Sequence, residues 1–227
     1  MMSLMVFDDI FFIYYHAQEV LESFPNTELS NFLQSSQDSY LKIIGDFPHV
    51  IVPEKMYETG YEALLLNQGH PYILPASYQC KVETWPSNYI KCIYYLPLKY
   101  IRLHSESVHL YSILSDLSKS FFDKRSSGIW SFRIQNKLYS ITKMNNLLQE
   151  VKTIRVDSPD DSTFYILKLV EKYSMHQPAI SVWTNETNAH HVRILKKYVS
   201  EVFLERRETV ELVKEIMKNT CASFQEN

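Results

Sequence analysis

The sequence predicts an α+β fold: N-terminal helices, then a mixed or antiparallel sheet with helices on one face, then a long C-terminal helix. Three observations carry this prediction. Residues 6–24 are apolar almost all round, short alternating runs are followed by segments of helical period from residue 78 onward, and apolar residues recur at heptad-like spacing toward the C-terminal end. At 227 residues the chain suits one domain, or one domain with a smaller appendage. The division is expected near residue 77, between a helical and irregular region, 1–77, and an α+β domain, 78–227.

Val6 to Phe24 is expected as a helix that is buried on more than one side or docks into a partner. Asn26 to Ile44 reads as a second helix, with Leu29, Phe32, Leu33, Tyr40 and Ile43 on its apolar side, and Tyr57 to Asn67 as a third ended near Gly69. Prolines from Pro48 to Pro97 mark an irregular middle. Tyr78 to Thr84 and Tyr89 to Leu96 read as strands, and Leu98 to Leu103 as a third or a continuation. Leu110, Leu114, Leu117 and Phe121 place a helix over Ser107 to Lys124, with Lys124 and Arg125 where cations suit its C-terminus and Gly128 just beyond.

Ile129 to Ile134 alternates as a half-buried strand, and Lys137 to Ile141 either continues it or returns across a Gln135-Asn136 turn. A short helix is expected over Thr142 to Val151. Ser158-Pro159-Asp160-Asp161 combines an N-cap, a proline at the first helical position and an acid three after the cap, which opens a helix to about Tyr173. Ala179 to Trp183 is a strand, and Asn185 or Asn188 caps a final helix reaching about Lys218. Such a helix is roughly 45 Å long, more than the core can cover, so its far end should project or meet a partner. The sequence shows no internal repeat.

The 4 glycines, Gly45, Gly60, Gly69 and Gly128, are too scattered for any glycine-rich phosphate loop. The 3 cysteines, Cys80, Cys92 and Cys221, form no close-spaced pair and point to a reducing compartment, nuclear or cytosolic. Asp8 and Asp9 precede the apolar run Ile10 to Tyr15, which fits neither a secretory signal nor a mitochondrial leader. That run is also far short of the roughly 18 residues a membrane helix needs.

The net charge of -3 hides an uneven distribution: residues 1–62 carry 10 acids against Lys42 and Lys55, whereas residues 81–155 carry 12 Lys or Arg against 5 acids. Two readings stay open: a dipolar surface whose halves contact each other, or a basic face for DNA or an acidic partner. On the second, Lys119, Lys124, Arg125, Arg133, Lys137 and Lys143, interleaved with rings such as Tyr100 and Trp130, are the candidate contacts to nucleic acid, without sequence preference. Leu195, Val199, Val202, Val213 and Ile216 are the candidate partner-binding stripe of the final helix.

No catalytic constellation assembles. His190 and His191 point about 100° apart on a helix and cannot share a metal with Glu186. His70, Cys80 and Cys92 lack the paired close spacing of a zinc site, and His104 and His109 have no recognisable nucleophile beside them. Asp8-Asp9 and Asp160-Asp161 read as carboxylates at helix starts. The expectation is a non-enzymatic protein with no cofactor and no metal.

Two stretches carry a family resemblance: Trp130 to Ile141 ahead of Thr142-Lys143, and Pro178 to Thr187 before the last helix. With the order of strands and helices over about residues 78–218, they resemble the transducer module of topoisomerase VI B subunits and their meiotic relatives. The chain departs from that family where Thr184-Asn185-Glu186 offers no lysine to a nucleotide, and residues 1–77 hold three separated glycines. Lys172-Tyr173 echoes part of a Trp-Lys-x-Tyr motif, but Glu171 stands before it and the motif is not carried over. The resemblance implies a degenerate nuclear subunit without ATP turnover, holding a topoisomerase VI A-like transesterase on DNA in meiotic recombination. The alternatives are a nucleic-acid-binding protein acting through residues 81–155, or a generic scaffold or adaptor subunit.

Overall fold

Residues 2–25 form three antiparallel strands, which reverses the first expectation of a helix. In the computed structural model, which describes all residues except 37–39, 74, 86–88, 102–104, 185–189, 200, 207 and 223–227, these are β1 (Met2–Val6), β2 (Ile10–Tyr15) and β3 (Val20–Pro25). The run Ile-Phe-Phe-Ile-Tyr-Tyr is rich in β-branched and aromatic residues, and its middle four are all buried. A strand covered on both faces loses its alternation, so periodicity could not tell it from a buried helix. The expected second helix is likewise divided, into α1 (Leu29–Ser35) and the fully buried strand β4 (Leu41–Gly45).

An insertion follows: β5 (His49–Pro53), α2 (Glu62–Gly69), β6 (Tyr78–Trp85) and β7 (Ile90–Pro97), the last two close to the predicted strands. Next come β8 (Ser105–His109) and α3 (Leu110–Leu117), so residues 107–109, expected as helix, extend a strand instead. Then α4 (Lys119–Phe122) leads to β9 (Gly128–Ile134), β10 (Lys137–Met144) and β11 (Leu147–Arg155). The expected Thr142 to Val151 helix is a second hairpin, turned at Asn145 and Asn146, both at positive φ (51° and 63°). Two residues in the left-handed region make the tight turn whose twist matches paired strands.

The Ser158 signal holds: α5 (Pro159–Lys172) carries a complete capping box with Asp161. β12 (Ala179–Thr184) follows as read. The long final helix does not exist; its residues divide into α6 (His190–Tyr198), β13 (Glu201–Arg206) and α7 (Thr209–Ala222). Val202 and Leu204 alternate with more exposed neighbours, which is strand period, and both pack on a core in which Leu195 and Val199 are also buried. The α+β class stands, with seven helices and three sheets among the described residues.

The chain forms two compact units, Met1–Leu114 with Val213–Asn227, and Ser115–Leu212. Each contains a five-stranded sheet with the same winding: β3-β2-β1-β4-β8 in the first, β11-β10-β9-β12-β13 in the second. In both, the first three strands are antiparallel and the last two run parallel beside the first strand. The architecture is therefore repeated although no sequence repeat is visible. The first unit alone carries the third sheet, β5-β7-β6, inserted between β4 and β8.

In the second unit Ile129, Leu138, Ile166, Leu169, Ile180, Val182 and Leu195 form the core, each side chain contributing about 1.5–3 kcal/mol by leaving water. Gly128 permits close approach there, because a Cβ would lie 2.6 Å from the Ala179 carbonyl oxygen on β12. Gly128→Ala should therefore lower the unfolding free energy by about 1–3 kcal/mol through forced separation of β9 and β12. A urea midpoint equal to wild type would contradict that packing.

Candidate functional site

In the first unit, alternation along β6 puts Lys81, Glu83 and Trp85 on one face. The antiparallel register sets Tyr94 of β7 opposite Lys81 and Cys92 opposite Glu83. With Leu96, Ile101 and Ser105, Glu106 and Ser107 of β8, these side chains enclose a cleft of about 370 Å³. Its cross-links come from far apart in the chain: the Glu83 Oε1 accepts from the His109 backbone N–H at 2.7 Å and from the Tyr94 hydroxyl at 2.8 Å. With that proton committed, Tyr94 accepts from the Ser107 hydroxyl at 3.1 Å.

Burial dominates the chemistry of Glu83, pushing its carboxyl up from 4.5 to about 7 against the opposing pull of the His109 N–H, Tyr94, the Trp85 indole and the Lys42 charge. Burial, then the Glu83 charge, raises the Tyr94 phenol as well. A carboxyl that exchanges its proton near neutral pH and borders a polar cleft is the strongest chemical feature of the described residues.

Behind it, Asp46, His49 and His109 each bring a ligand atom to within 4.8 Å of the others, which raises the question of a metal. The hydrogen bonds answer it. The Tyr111 N–H donates to His109 Nδ1 at 3.2 Å, so the ring proton sits on Nε2, which donates to the Phe47 carbonyl at 2.9 Å. A metal-bound histidine needs the reverse, a bare nitrogen toward the ion and a donating one behind it. His49 Nδ1 donates to the same Phe47 carbonyl at 3.1 Å. His109 therefore offers no bare nitrogen to an ion, which leaves the cluster without one of its three ligands; burial keeps both rings neutral, His49 pushed down to about 4 and His109 well below its usual value.

The six basic residues predicted for nucleic acid do not form one face. Lys119 pairs with Asp116 at 2.7 Å, Lys143 lies over the Phe122 ring, and Arg125 stacks between Phe121 and Phe203 while facing Glu201. Lys143 stands opposite Gly128 at one end of the β9–β10 hairpin, whereas Arg133 and Lys137 flank the turn at the other, six residues or about 20 Å along the strands. Lys124 is exposed just past α4. The partner-binding stripe is interior: Leu195, Val199, Val213 and Ile216 are at most 3% exposed and Val202 is half-buried. Leu195 lies on α6, Val199 just past its end, Val202 on β13, and Val213 and Ile216 on α7, and the side chains are already spent in packing. Asp8 and Asp9 occupy the β1–β2 turn and not a helix start, with Asn26 donating to the Phe7 and Asp8 carbonyls. His70 donates to the His49 carbonyl and joins neither Cys80 nor Cys92 in a metal cluster. The side chains of His190, His191 and Cys221, and all of Arg102, His104 and Glu186, lie outside the described residues.

No family model and no curated protein matches the sequence. The structure is similar to a crystal structure of a Bacteroides thetaiotaomicron protein of unknown function with an actin-like ATPase fold: TM-score 0.67, 13% identity, 95% of this chain and 94% of that one. The chain has the actin-like ATPase fold. More distant are the AlfA filament bound to AMPPNP (TM-score 0.47, 9% identity, 99% and 98% covered) and EutJ from Carboxydothermus hydrogenoformans (0.44, 4%, 89% and 83%).

This fold overturns the topoisomerase VI B resemblance, and with it the meiotic regulatory role in DNA recombination. Trp130 to Ile141, which carried the resemblance, is the β9–β10 hairpin at the middle of a repeated sheet. Pro178 to Thr187 contains β12, and the next helix is only nine residues long before a further parallel strand. No helix among the described residues is long and apolar enough to cross a membrane.

Glu83 itself had no sequence signal, because an acid on an alternating strand reads as a solvent-facing one. Its raised carboxyl has a measurable consequence. The folded state holds a proton that the unfolded state has released between about pH 4.5 and 7, so Glu83 takes stability away as pH rises through that window. Glu83→Gln removes this titration. The variant should gain on wild type by up to about 3 kcal/mol between acid and alkaline conditions, read from unfolding midpoints across the range. A constant difference would mean that Glu83 titrates alike in the folded and the unfolded chain.

Proposed function

We propose that the protein binds a small polar molecule in the Glu83 cleft and that this activity uses no nucleoside triphosphate and turns over no ATP. The observation that carries the reading is the convergence of a buried carboxyl, a phenol, two serine hydroxyls and a lysine on one cleft of ligand size.

The actin-like ATPase fold favours a second reading, nucleotide binding. Against it stands the use already made of every glycine. A polyphosphate requires clustered backbone N–H groups or cations, and glycine where the chain must approach closely. The space a Cβ would take is filled by the Phe47 ring at Gly45, by Val50 at Gly69 and by the Ala179 carbonyl at Gly128. Gly60, at φ 100°, turns the chain into α2 and gives its N–H to Glu62. The β1–β2 turn carries Asp8 and Asp9, whose charges repel phosphate.

Two titrations separate the readings. With magnesium and ATP, calorimetry should show no binding tighter than about 1 mM. A fragment library followed by amide NMR should move the signals of Lys81, Glu83 and residues 105–107, and Glu83→Gln should weaken the hits. ATP binding at about 10 μM or tighter that leaves those signals still would replace the proposal with the second reading.

A further inference from the structure

The Glu83 cleft presents both signs of charge, unneutralised by each other. Among the described residues Lys81 makes no ion pair or hydrogen bond. Glu106 is bound by the Tyr40 hydroxyl at 2.9 Å and, among the described residues, by no cation. Glu83 receives two donors on one oxygen, while its other oxygen, Oε2, is buried and makes no close hydrogen bond, the neutral Trp85 indole being its one further donor among the described residues. Lys81 and Glu83 lie two residues apart on one face of β6, about 6.6 Å along the strand. That spacing is spanned by a molecule whose opposite charges adjoin, with one hydrogen bond at each end. A pure anion would face two carboxyls, a pure cation would face the lysine, and Leu96 with Ile101 leaves an apolar wall for a hydrocarbon side chain.

We propose that the ligand is an α-ammonium carboxylate of the amino-acid type, its ammonium held by Glu83 and Glu106, its carboxylate by Lys81 and its side chain against Leu96 and Ile101. This rests on the cleft being a ligand site at all. Binding draws the proton off Glu83, since an ammonium is best held by the ionised carboxylate. The groups that face Glu83 are Lys81 and Trp85 on its own strand, Cys92 and Tyr94 on β7, Glu106 and the His109 N–H on β8, and Lys42 on β4. None of the neutral donors among them replaces the missing counter-charge.

The experiment uses three probes of one carbon skeleton: L-leucine, 3-methylbutylamine, which lacks the carboxylate, and 4-methylpentanoate, which lacks the ammonium. Amide NMR locates each, and calorimetry in buffers of different ionisation enthalpy counts protons released. Leucine should bind best, about tenfold tighter at pH 8 than at pH 6, with a proton released near pH 7. Lys81→Ala should weaken leucine about tenfold and leave the amine unchanged, and Glu83→Gln, checked for an unaltered spectrum, should flatten the pH profile. Equal binding of 4-methylpentanoate, or a flat profile in the wild type, overturns the ligand class. If none of the three binds, the class fails; if the fragment library also leaves the cleft signals unmoved, the cleft reading fails with it.

Discussion

Burial on both faces of the central strands is the constraint from which most of this molecule follows. Four consecutive residues of β2, all five of β4 and six of the seven in β9 are buried. Such strands hold mostly apolar side chains and small hydroxyls that find a partner, with Lys42 of β4 the buried charge among them, because an unpaired buried polar group costs about 1–3 kcal/mol. The serines obey this: Ser131 donates to the Ser181 carbonyl at 2.9 Å and Ser140 to the Lys152 carbonyl at 3.2 Å. Helices then cover what the strands expose, and each crossover helix needs only an apolar stripe.

That demand is for a pattern and not for particular residues, which is why one winding occurs twice without a sequence repeat. It is also why a protein 13% identical shares the fold at a TM-score of 0.67. What differs between the units is what the core does not dictate. The β1–β2 turn is acidic and stapled by Asn26, the β9–β10 turn is Gln135-Asn136 with Gln135 at φ 52°, and only the first unit has the inserted sheet. The candidate site belongs to that insertion, where the core's rules are relaxed and polar side chains can be placed for their chemistry.

Little of the site was legible beforehand. The strand carrying Glu83 was read almost to its ends, yet the donor that holds its carboxyl, the His109 N–H, is 26 residues away on a strand taken for the start of a helix. His109 has no nucleophile beside it in sequence, and the structure makes it and His49 packing groups joined at the Phe47 carbonyl. Arg125 and Lys143 looked like a basic face by composition, and aromatic rings absorb both cations. The heptad-like stripe was a coincidence of spacing across two helices and a strand, because apolar residues of different elements converge on cores whatever their register.

By itself the sequence determined the features that depend on neighbours along the chain: the Ser158 capping box, the strands of β6, β7, β9 and β12, and the want of any glycine-rich loop. Each is set within a few residues by a cap, an alternation or a missing residue type. Tertiary structure alone decided that the apolar N-terminus is strand, that the C-terminal run breaks around β13, and that Glu83, Tyr94 and Ser107 share a cleft. Where every side of a segment is covered the two-residue and 3.6-residue periods look alike, and only pairing with distant strands chooses between them.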